Sequence, residues 1–186
     1  MRRIIKSKPT CIYKMTFDKA TIIKDIDVYL NRCKSKHERA CLILLFMLGL
    51  KSKELLSLKR SDFKTKGRIV WVYIKPVNSK IMFRLVPLPM RIKYVVELNE
   101  YLKTLLTDQR VAWKFKTKFN VRDFVYRISK KDLSPFDFRI NRIKLFVNRN
   151  MPPYMLQEFF GYKHLGRLEA FINSLKEPEK NIKKYF

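Results

Sequence analysis

Residues 44–63, LLFMLGLKSKELLSLKRSDF, contain a break between two helices around which the rest of the chain is organised. An apolar run precedes Gly49, and glycine commonly ends helices because it adopts the left-handed backbone conformation without strain. Upstream, Ser35 and Glu38 have the spacing of a capping box, so we predict an apolar helix that begins there and ends at Gly49. After the break, leucines predict a short helix over about Lys53–Lys59.

The hydrophobic period changes downstream of this stretch. Residues Arg68–Lys75 (RIVWVYIK) and Lys80–Leu88 (KIMFRLVPL) are rich in β-branched and aromatic residues, and residues 76–79 (PVNS) between them are typical of a turn. We therefore predict a β-hairpin, with helices over the remainder. The predicted helices cover about Ala20–Asn31, about Met90–Leu106, about Asn120–Ser129, a segment opened by a capping box at Ser134–Asp137, a segment from Pro152 to Gly161, and a last one ending near Leu175.

The charge of the chain is strongly unbalanced. Its 186 residues include 42 Lys and Arg against 16 Asp and Glu, a formal net charge of +26, while 47% of the residues are hydrophobic. That hydrophobic content is sufficient for a folded core. So large a positive excess destabilises a compact monomer unless a polyanion offsets it. Nucleic acid is therefore the first expected partner, and an anionic membrane surface is the second candidate.

The sequence predicts neither a membrane span nor a secretion signal. The longest nearly uninterrupted apolar run, Ala40–Leu50, is too short to cross a bilayer. The basic residues at the N-terminus are not followed by the apolar segment of a signal peptide. We therefore expect an intracellular protein, in the cytoplasm, the nucleoid or a virus-infected host cell, that is not secreted and has no membrane partner.

The cysteines do not form the pattern of a disulfide framework. Cys11, Cys33 and Cys41 are odd in number and contain no CxxC pair. Cys33, His37 and Cys41 recur every fourth residue and could chelate a metal in principle, but no fourth ligand is evident. We favour thiols packed beside a helical core, and expect neither a metal nor a cofactor.

Four motifs follow one another in the order typical of a known family. Residues 44–63 resemble a TGLRxxELxxLxxxD pattern and residues 84–88 (RLVPL) a hairpin ending; residues 136–139 (FDFR) resemble an HxLR pattern and residues 160–162 (FGY) an LGH pattern. Over about Thr16–Leu175, the chain thus resembles the tyrosine recombinase (phage integrase) family. The resemblance implies an α+β, mainly α-helical fold: a recombinase catalytic-domain-like helical bundle with a small antiparallel β-hairpin or sheet.

The resemblance also implies a division of the chain. Residues 1–19 are expected to form a basic N-terminal arm, residues 20–175 an inactive integrase-like catalytic domain, and residues 176–186 a lysine-rich C-terminal tail. Family members carry a core-binding domain ahead of the catalytic one, and only about 20 residues precede the first predicted helix here. We therefore expect weaker and less sequence-selective DNA binding, which the basic arm partly offsets by following the phosphate backbone.

The family's catalytic positions carry over with substitutions. Two arginines hold the scissile phosphate in the family; Lys51 stands at the first position and Arg139 at the second. Lysine keeps the charge but lacks the planar fork that grips two phosphate oxygens. At the two histidine-type positions stand Phe136, which cannot transfer a proton, and Tyr162, which can donate one hydrogen bond but is uncharged. The resemblance therefore implies a degenerate site.

The nucleophile position decides the expected chemistry. In the family a tyrosine nine residues after the LGH histidine attacks phosphorus, and Phe171 stands nine residues after Tyr162. Phenylalanine lacks the hydroxyl that forms the phosphotyrosyl bond. The general-acid lysine of the hairpin corresponds to Lys75 or Lys80, between which the sequence does not choose. The resemblance thus implies a protein that has lost strand cleavage; the alternative is an active recombinase with Tyr162 or Tyr185 as a displaced nucleophile.

We expect a protein that binds double-stranded DNA without cutting it, with a regulatory or DNA-organising role in a mobile element or virus. An active integrase or a second copy of this chain is a further expected partner, and a helical RNA-binding or interaction protein is the alternative class. Phe136 and Phe171 also fit core positions, and Arg139 fits an ion pair with Asp62 or Glu54. The expected DNA contacts are Lys51, Lys75, Lys80, Arg139, Arg142 and Tyr162.

Overall fold

The fold is a helical bundle with a small antiparallel sheet, which confirms the predicted fold class. A computed structural model of the protein describes residues 26–76 and 84–182, with side chains up to residue 173. The predicted basic arm, residues 1–19, lies outside the described residues. The elements are α1 (Asp27–Leu30), α2 (Lys36–Leu48), α3 (Ser52–Ser57), a 3-10 helix (Arg60–Asp62), β1 (Phe63–Lys66), β2 (Ile69–Ile74), β3 (Arg84–Pro89), α4 (Lys93–Lys103), α5 (Lys118–Ser129), α6 (Pro135–Val147), α7 (Pro153–Phe160) and α8 (Leu165–Ile182).

The three strands are ordered β1-β2-β3. β2 and β3 are the strands of the predicted hairpin, with Ile69 paired to Pro89 and Ile74 paired to Arg84. Most of the predicted turn, residues 76–79, lies outside the described residues. The sequence does not predict β1, because three of its four residues (FKTK) are polar and exposed. It forms a strand because its backbone pairs along the full length of β1 with β2.

The helix α2 runs through the core, and ten of its thirteen residues are buried. A helix that is apolar on all sides is stable only inside a protein, and α2 packs against both α4 and α6. At its start, the Ser35 hydroxyl accepts the backbone N–H of Glu38 at 3.3 Å, as predicted. The Glu38 carboxylate, however, accepts the N–H of Lys34 at 2.7 Å, one residue before the donor that a capping box predicts.

Glycine ends two helices where the sequence predicts it. Gly49 follows α2 with φ +57° and Gly161 follows α7 with φ +62°, both in the left-handed region. α7 begins at Pro153, within the predicted segment, where the missing N–H of proline has little cost. The last helix, α8, continues past the predicted end near Leu175 to Ile182.

Two hydrophobic clusters meet at the end of α2. The first joins α2 to the sheet, α4 and α5. Gly49 links it to the second, because a Cβ at this position would lie 2.7 Å from Phe160 Cε1 and 3.3 Å from the Arg139 Cα. Glycine is therefore required here both by φ and by the close approach of α6 and α7. The second cluster consists of Ile143, Phe146, Leu156, Phe160, Leu168 and Ile172.

The cysteine and histidine side chains on and before α2 lie in or against the core. The Cys41 Sγ is 3.9 Å from His37 Nε2, but that nitrogen also accepts the backbone N–H of Lys114 at 3.3 Å. The Cys33 thiol donates to the carbonyl of Tyr29. Burial, followed by the charge of Lys114, lowers the pKa of His37 to about 4. Within the described residues, no three His, Cys, Asp or Glu side chains are grouped to hold a metal ion.

Candidate nucleic-acid interface

A cavity of about 560 Å³ opens between α3, α5 and the start of α6. Its wall also includes the ends of β2 and β3 next to the hairpin turn, and Gly161 after α7. Glu54 is the single carboxylate among the described lining residues, and an arginine binds it. The cavity therefore carries a positive potential that suits an anion. Its cationic side chains are Lys51, Lys53, Arg84, Lys118 and Arg122.

A buried ionic cluster supports the wall of this cavity. Arg84 donates from Nη2 to Glu54 Oε2 at 2.7 Å and from Nη1 to the carbonyl of Phe159. The same glutamate oxygen accepts the backbone N–H of Lys51 at 2.8 Å and lies 3.9 Å from Arg139 Nη1. Burial lowers the pKa of Arg84, and the charge of Glu54 opposes this effect. One carboxylate thus forms an ion pair with Arg84, lies near Arg139, and ties α3 to β3 and α6.

Arg139 lies behind this wall and is only 1% exposed. Its Nη1 donates to the carbonyl of Gly49 at 2.8 Å, and its Nη2 donates to the carbonyl of Phe160 at 2.6 Å. The two carbonyls belong to the C-terminal ends of α2 and α7, where backbone acceptors lack helical partners. The guanidinium carbon also lies 5.0 Å from the ring centre of Tyr162. Arg139 thus holds the ends of two helices together from α6.

Solved structures of site-specific recombinases share this arrangement of helices and strands. XerH bound to difH in a pre-cleavage complex superposes with a TM-score of 0.61 and 19% identity, over 83% of this chain and 50% of XerH. XerA gives 0.59 and 16%, over 96% of this chain and 66% of XerA. The Tn1549 transposon integrase in complex with circular intermediate DNA gives 0.55 and 18%, over 78% and 57%. This chain has a tyrosine-recombinase catalytic-domain-like fold.

The likeness lies in the three-dimensional structure. No protein-family model and no curated protein sequence matches the chain. The chain spans about half the length of XerH and about two thirds of XerA. Within the recombinase-like fold it therefore corresponds to one part of these longer proteins. No helix among the described residues is both long enough and apolar enough to span a membrane.

In this recombinase-like fold, four of the carried-over positions lie at or beside the cavity. Lys51 and Phe136 line it, and Arg139 contacts Glu54 in its wall. The ring centre of Tyr162 lies 5.0 Å from the Arg139 guanidinium carbon, so this tyrosine is held next to the same wall. Partial burial, followed by the positive charge of Arg139, lowers the pKa of Lys51 below its usual value.

Two further predicted DNA contacts that the structure describes, Lys75 and Arg142, do not line the cavity. Lys75 is exposed just after β2, and its Nζ lies 3.0 Å from Asp62 Oδ1. Asp62 therefore pairs with Lys75. Of the two ion-pair partners predicted for Arg139, Glu54 is the one that lies near it, at 3.9 Å. Lys80 lies outside the described residues. Arg142 is partly buried on α6.

Burial lowers the pKa of Arg142 without removing its charge at neutral pH. Desolvation, followed by the charge of Arg149, lowers its pKa to about 10. Its guanidinium carbon lies 4.5 Å from the ring centre of Phe146, and its Nε has no hydrogen-bond acceptor among the described residues. Arg142 therefore keeps its positive charge at neutral pH while packing partly against the second hydrophobic cluster.

The two phenylalanines that stand at catalytic positions of the family, Phe136 and Phe171, have different environments. Phe136 is 41% exposed in the first turn of α6, so the core position predicted as an alternative for it is wrong. The core-facing aromatic of this turn is instead Phe138, which is fully buried. Phe171 packs against the second hydrophobic cluster, as does Tyr162. Tyr185 lies outside the described residues.

The first turn of α5 contributes to the cavity, which the sequence does not predict. The predicted helix starts at Asn120, whereas α5 begins at Lys118, so the prediction leaves Lys118 and Phe119 outside the helix. Phe119 is 52% exposed, with Lys118 Nζ at 5.1 Å and Arg122 Cζ at 5.2 Å from its ring centre. The sequence does carry one signal for this basic face: Lys118 and Arg122 are four residues apart, so they lie on one side of a helix.

Proposed function

We propose that this chain binds double-stranded DNA and does not cleave it. One observation carries the proposal: Phe171 occupies the position that the resemblance assigns to the nucleophile, and its ring packs against the cluster formed by α6, α7 and α8. A phenyl ring has no hydroxyl from which a phosphotyrosyl bond could form. Phe136, at a proton-transfer position, removes a second reacting group. Because such groups act as a unit, the remaining charges bind phosphate without breaking it.

Binding to DNA is supported by charge and by the proteins that share the fold. The net charge is +26, and five cations line the cavity. Lysine and arginine neutralise phosphates and release condensed counterions, which favours binding to a duplex. XerH and the Tn1549 integrase were each solved in complex with DNA. By this analogy we assign the chain a regulatory or DNA-organising role in a mobile element or virus.

We divide the predicted contact residues into two groups. Lys51 faces the phosphate backbone together with Lys118 and Arg122, since all three line the cavity. Arg139 is a positioning residue, because its guanidinium is already bound to the carbonyls of Gly49 and Phe160. Further phosphate contacts are assigned to Lys75, Lys80 and Arg142, and a supporting role to Tyr162.

The proposal predicts that the chain forms no covalent bond with DNA. Nicked suicide duplexes trap a phosphotyrosyl intermediate because the released strand diffuses away. Incubation of the full chain with such duplexes, carrying a randomised central sequence, should give no slower band on a denaturing gel. The reason is the absence of a nucleophile and of a proton donor at Phe171 and Phe136. The XerH recombinase with its difH substrate serves as the positive control for trapping.

The variants Tyr162→Phe and Tyr185→Phe make this experiment decisive. An adduct that disappears in one of them identifies that tyrosine as a displaced nucleophile and overturns the proposal. Tyr162 is the stronger alternative, since its ring lies 5.0 Å from the Arg139 guanidinium carbon.

DNA affinity should depend steeply on salt, and the cavity should contribute to that dependence. We expect the variant Lys118→Gln/Arg122→Gln to bind duplex DNA more weakly at low salt. The slope of log K against log salt should fall by about 0.9 for each DNA phosphate that the variant no longer neutralises. Fluorescence anisotropy with a labelled duplex across a salt series measures both quantities.

The matched control is Lys36→Gln, at the opposite end of α2 from the cavity. Thirteen helical residues separate the two ends, which corresponds to about 20 Å. This variant should keep the wild-type slope. Equal slopes for all three proteins would place the DNA on another face of the molecule.

A further inference from the structure

The cavity has a second chemical character that phosphate binding does not use. Besides its cations, Glu54 and two serines, its lining contains apolar side chains, including the two aromatics Phe119 and Phe136. Both are among the few large apolar side chains that are strongly exposed in the described part of the chain. Apolar surface exposed in a groove rimmed by polar residues often marks a ligand-binding site. The other apolar lining residues are Ile74, Pro76 and Pro135.

The ring of Phe136 is available for stacking. No aromatic ring or cation among the described residues covers it, whereas the ring of Phe119 has Lys118 and Arg122 nearby. The backbone of α6 at this point is held by Asp137, whose carboxylate accepts the N–H of Ser134 at 2.6 Å. The ring is therefore presented from an ordered helix start, which lowers the entropy cost of binding a flat partner.

We propose that this cavity holds one unpaired nucleotide of bound DNA, with its base against Phe136 and its phosphate on the surrounding cations. In a paired duplex the faces of the bases are covered by stacking, so the aromatic lining would have no base face to contact. An unstacked base supplies a π-face for the ring, and its phosphate supplies the anion for Lys51 or Arg122. The volume of about 560 Å³ lies within the range of small-ligand pockets. This inference rests on the proposed DNA-binding function.

Three duplexes that share the same paired sequence test this proposal with the full chain. One is fully paired, one contains a single extra nucleotide in one strand, and one contains an abasic residue at that extra position. We expect wild-type protein to bind the base-bearing bulge about five- to 150-fold more tightly than the abasic bulge. That factor corresponds to roughly 1–3 kcal/mol of base–aromatic stacking. The base of the bulge is 2-aminopurine, whose fluorescence is quenched on stacking.

The variant Phe136→Ala should bring the ratio of the two bulge affinities close to one and remove the quenching, while Phe136→Trp should retain both. Tyr154→Ala is the matched control, because Tyr154 is an exposed aromatic on α7 that does not line the cavity. It should keep the wild-type ratio. If wild-type protein bound the two bulges equally tightly and both more tightly than paired DNA, bending would be what is recognised, and the proposal would be overturned.

The outcomes also separate this proposal from DNA binding itself. Binding of all three duplexes with equal affinity overturns the nucleotide pocket and leaves the proposed function intact. If no duplex binds, 2-aminopurine deoxyribonucleoside monophosphate tests the same chemistry from a free source. Quenching that Phe136→Ala abolishes would then support a pocket for free nucleotide, and unchanged fluorescence would overturn the pocket altogether.

Discussion

Replacing Glu54 with glutamine should lower the free energy of unfolding by about 3–5 kcal/mol, the usual effect of removing one partner from a buried ion pair. The amide keeps an acceptor oxygen for the N–H of Lys51 or for Arg84, but it removes the negative charge. Arg84 and Arg139 would then be two buried cations without a counter-charge. Urea denaturation followed by circular dichroism measures the change from the transition midpoint and slope.

Glu97→Gln is the matched control for this substitution. Glu97 forms a two-pronged ion pair with Arg39, but both side chains are about one third exposed. Partly exposed pairs contribute about 0–1 kcal/mol because water and salt screen them. If Glu54→Gln were no more destabilising than Glu97→Gln, the charge of Glu54 would not be what stabilises the two buried arginines.

Replacing Gly49 with alanine should destabilise the protein by about 2–5 kcal/mol through two separate costs. The left-handed backbone at φ +57° disfavours any residue with a Cβ, by about 1–2 kcal/mol. The added carbon would also lie 2.7 Å from Phe160 Cε1 and 3.3 Å from the Arg139 Cα, and overpacking costs about 1–3 kcal/mol. Thermal and urea unfolding both report this loss.

Gly67→Ala isolates the backbone cost. Gly67 has φ +58°, almost the same as Gly49, but no atom lies within 4 Å of the Cβ that would be added. We expect this variant to lose only about 1–2 kcal/mol. The difference between the two glycine variants then measures the contact of α2 with α6 and α7. If the difference were zero, Phe160 would be free to move away, and the junction would be looser than the distances indicate.

Much of the fold follows from local features of the sequence. The turn at Gly49, the helix start at Pro153 and the strands of the hairpin are all predicted, because each depends on residues close together in the chain. The strand β1 is missed, since its polar FKTK sequence becomes a strand only by pairing with β2. The predicted helix over Asn120–Ser129 begins two residues late. Its capping box pairs Thr117 with Asn120, and asparagine is not the Glu or Gln of the usual capping-box pattern.

The candidate site is predictable as a set of positions but not as an arrangement. The sequence motifs single out Lys51, Phe136 and Arg139, which lie at or beside one cavity. They do not distinguish the exposed Phe136 from the buried Arg139, because hydrophobicity and charge predict the reverse. Burial of an arginine depends on distant acceptors, here the carbonyls of Gly49 and Phe160.

The sequence by itself determined the strong positive charge, the order of the main elements and the residue types at the former chemical positions, because these are properties of composition and local pattern. Only the tertiary structure decided where that charge is available. Arg84 and Arg139 share Glu54 inside the protein, while Lys118 and Arg122 remain in the cavity beside two exposed aromatics. Which cations are neutralised internally depends on contacts between residues far apart in the chain, and local sequence does not encode those contacts.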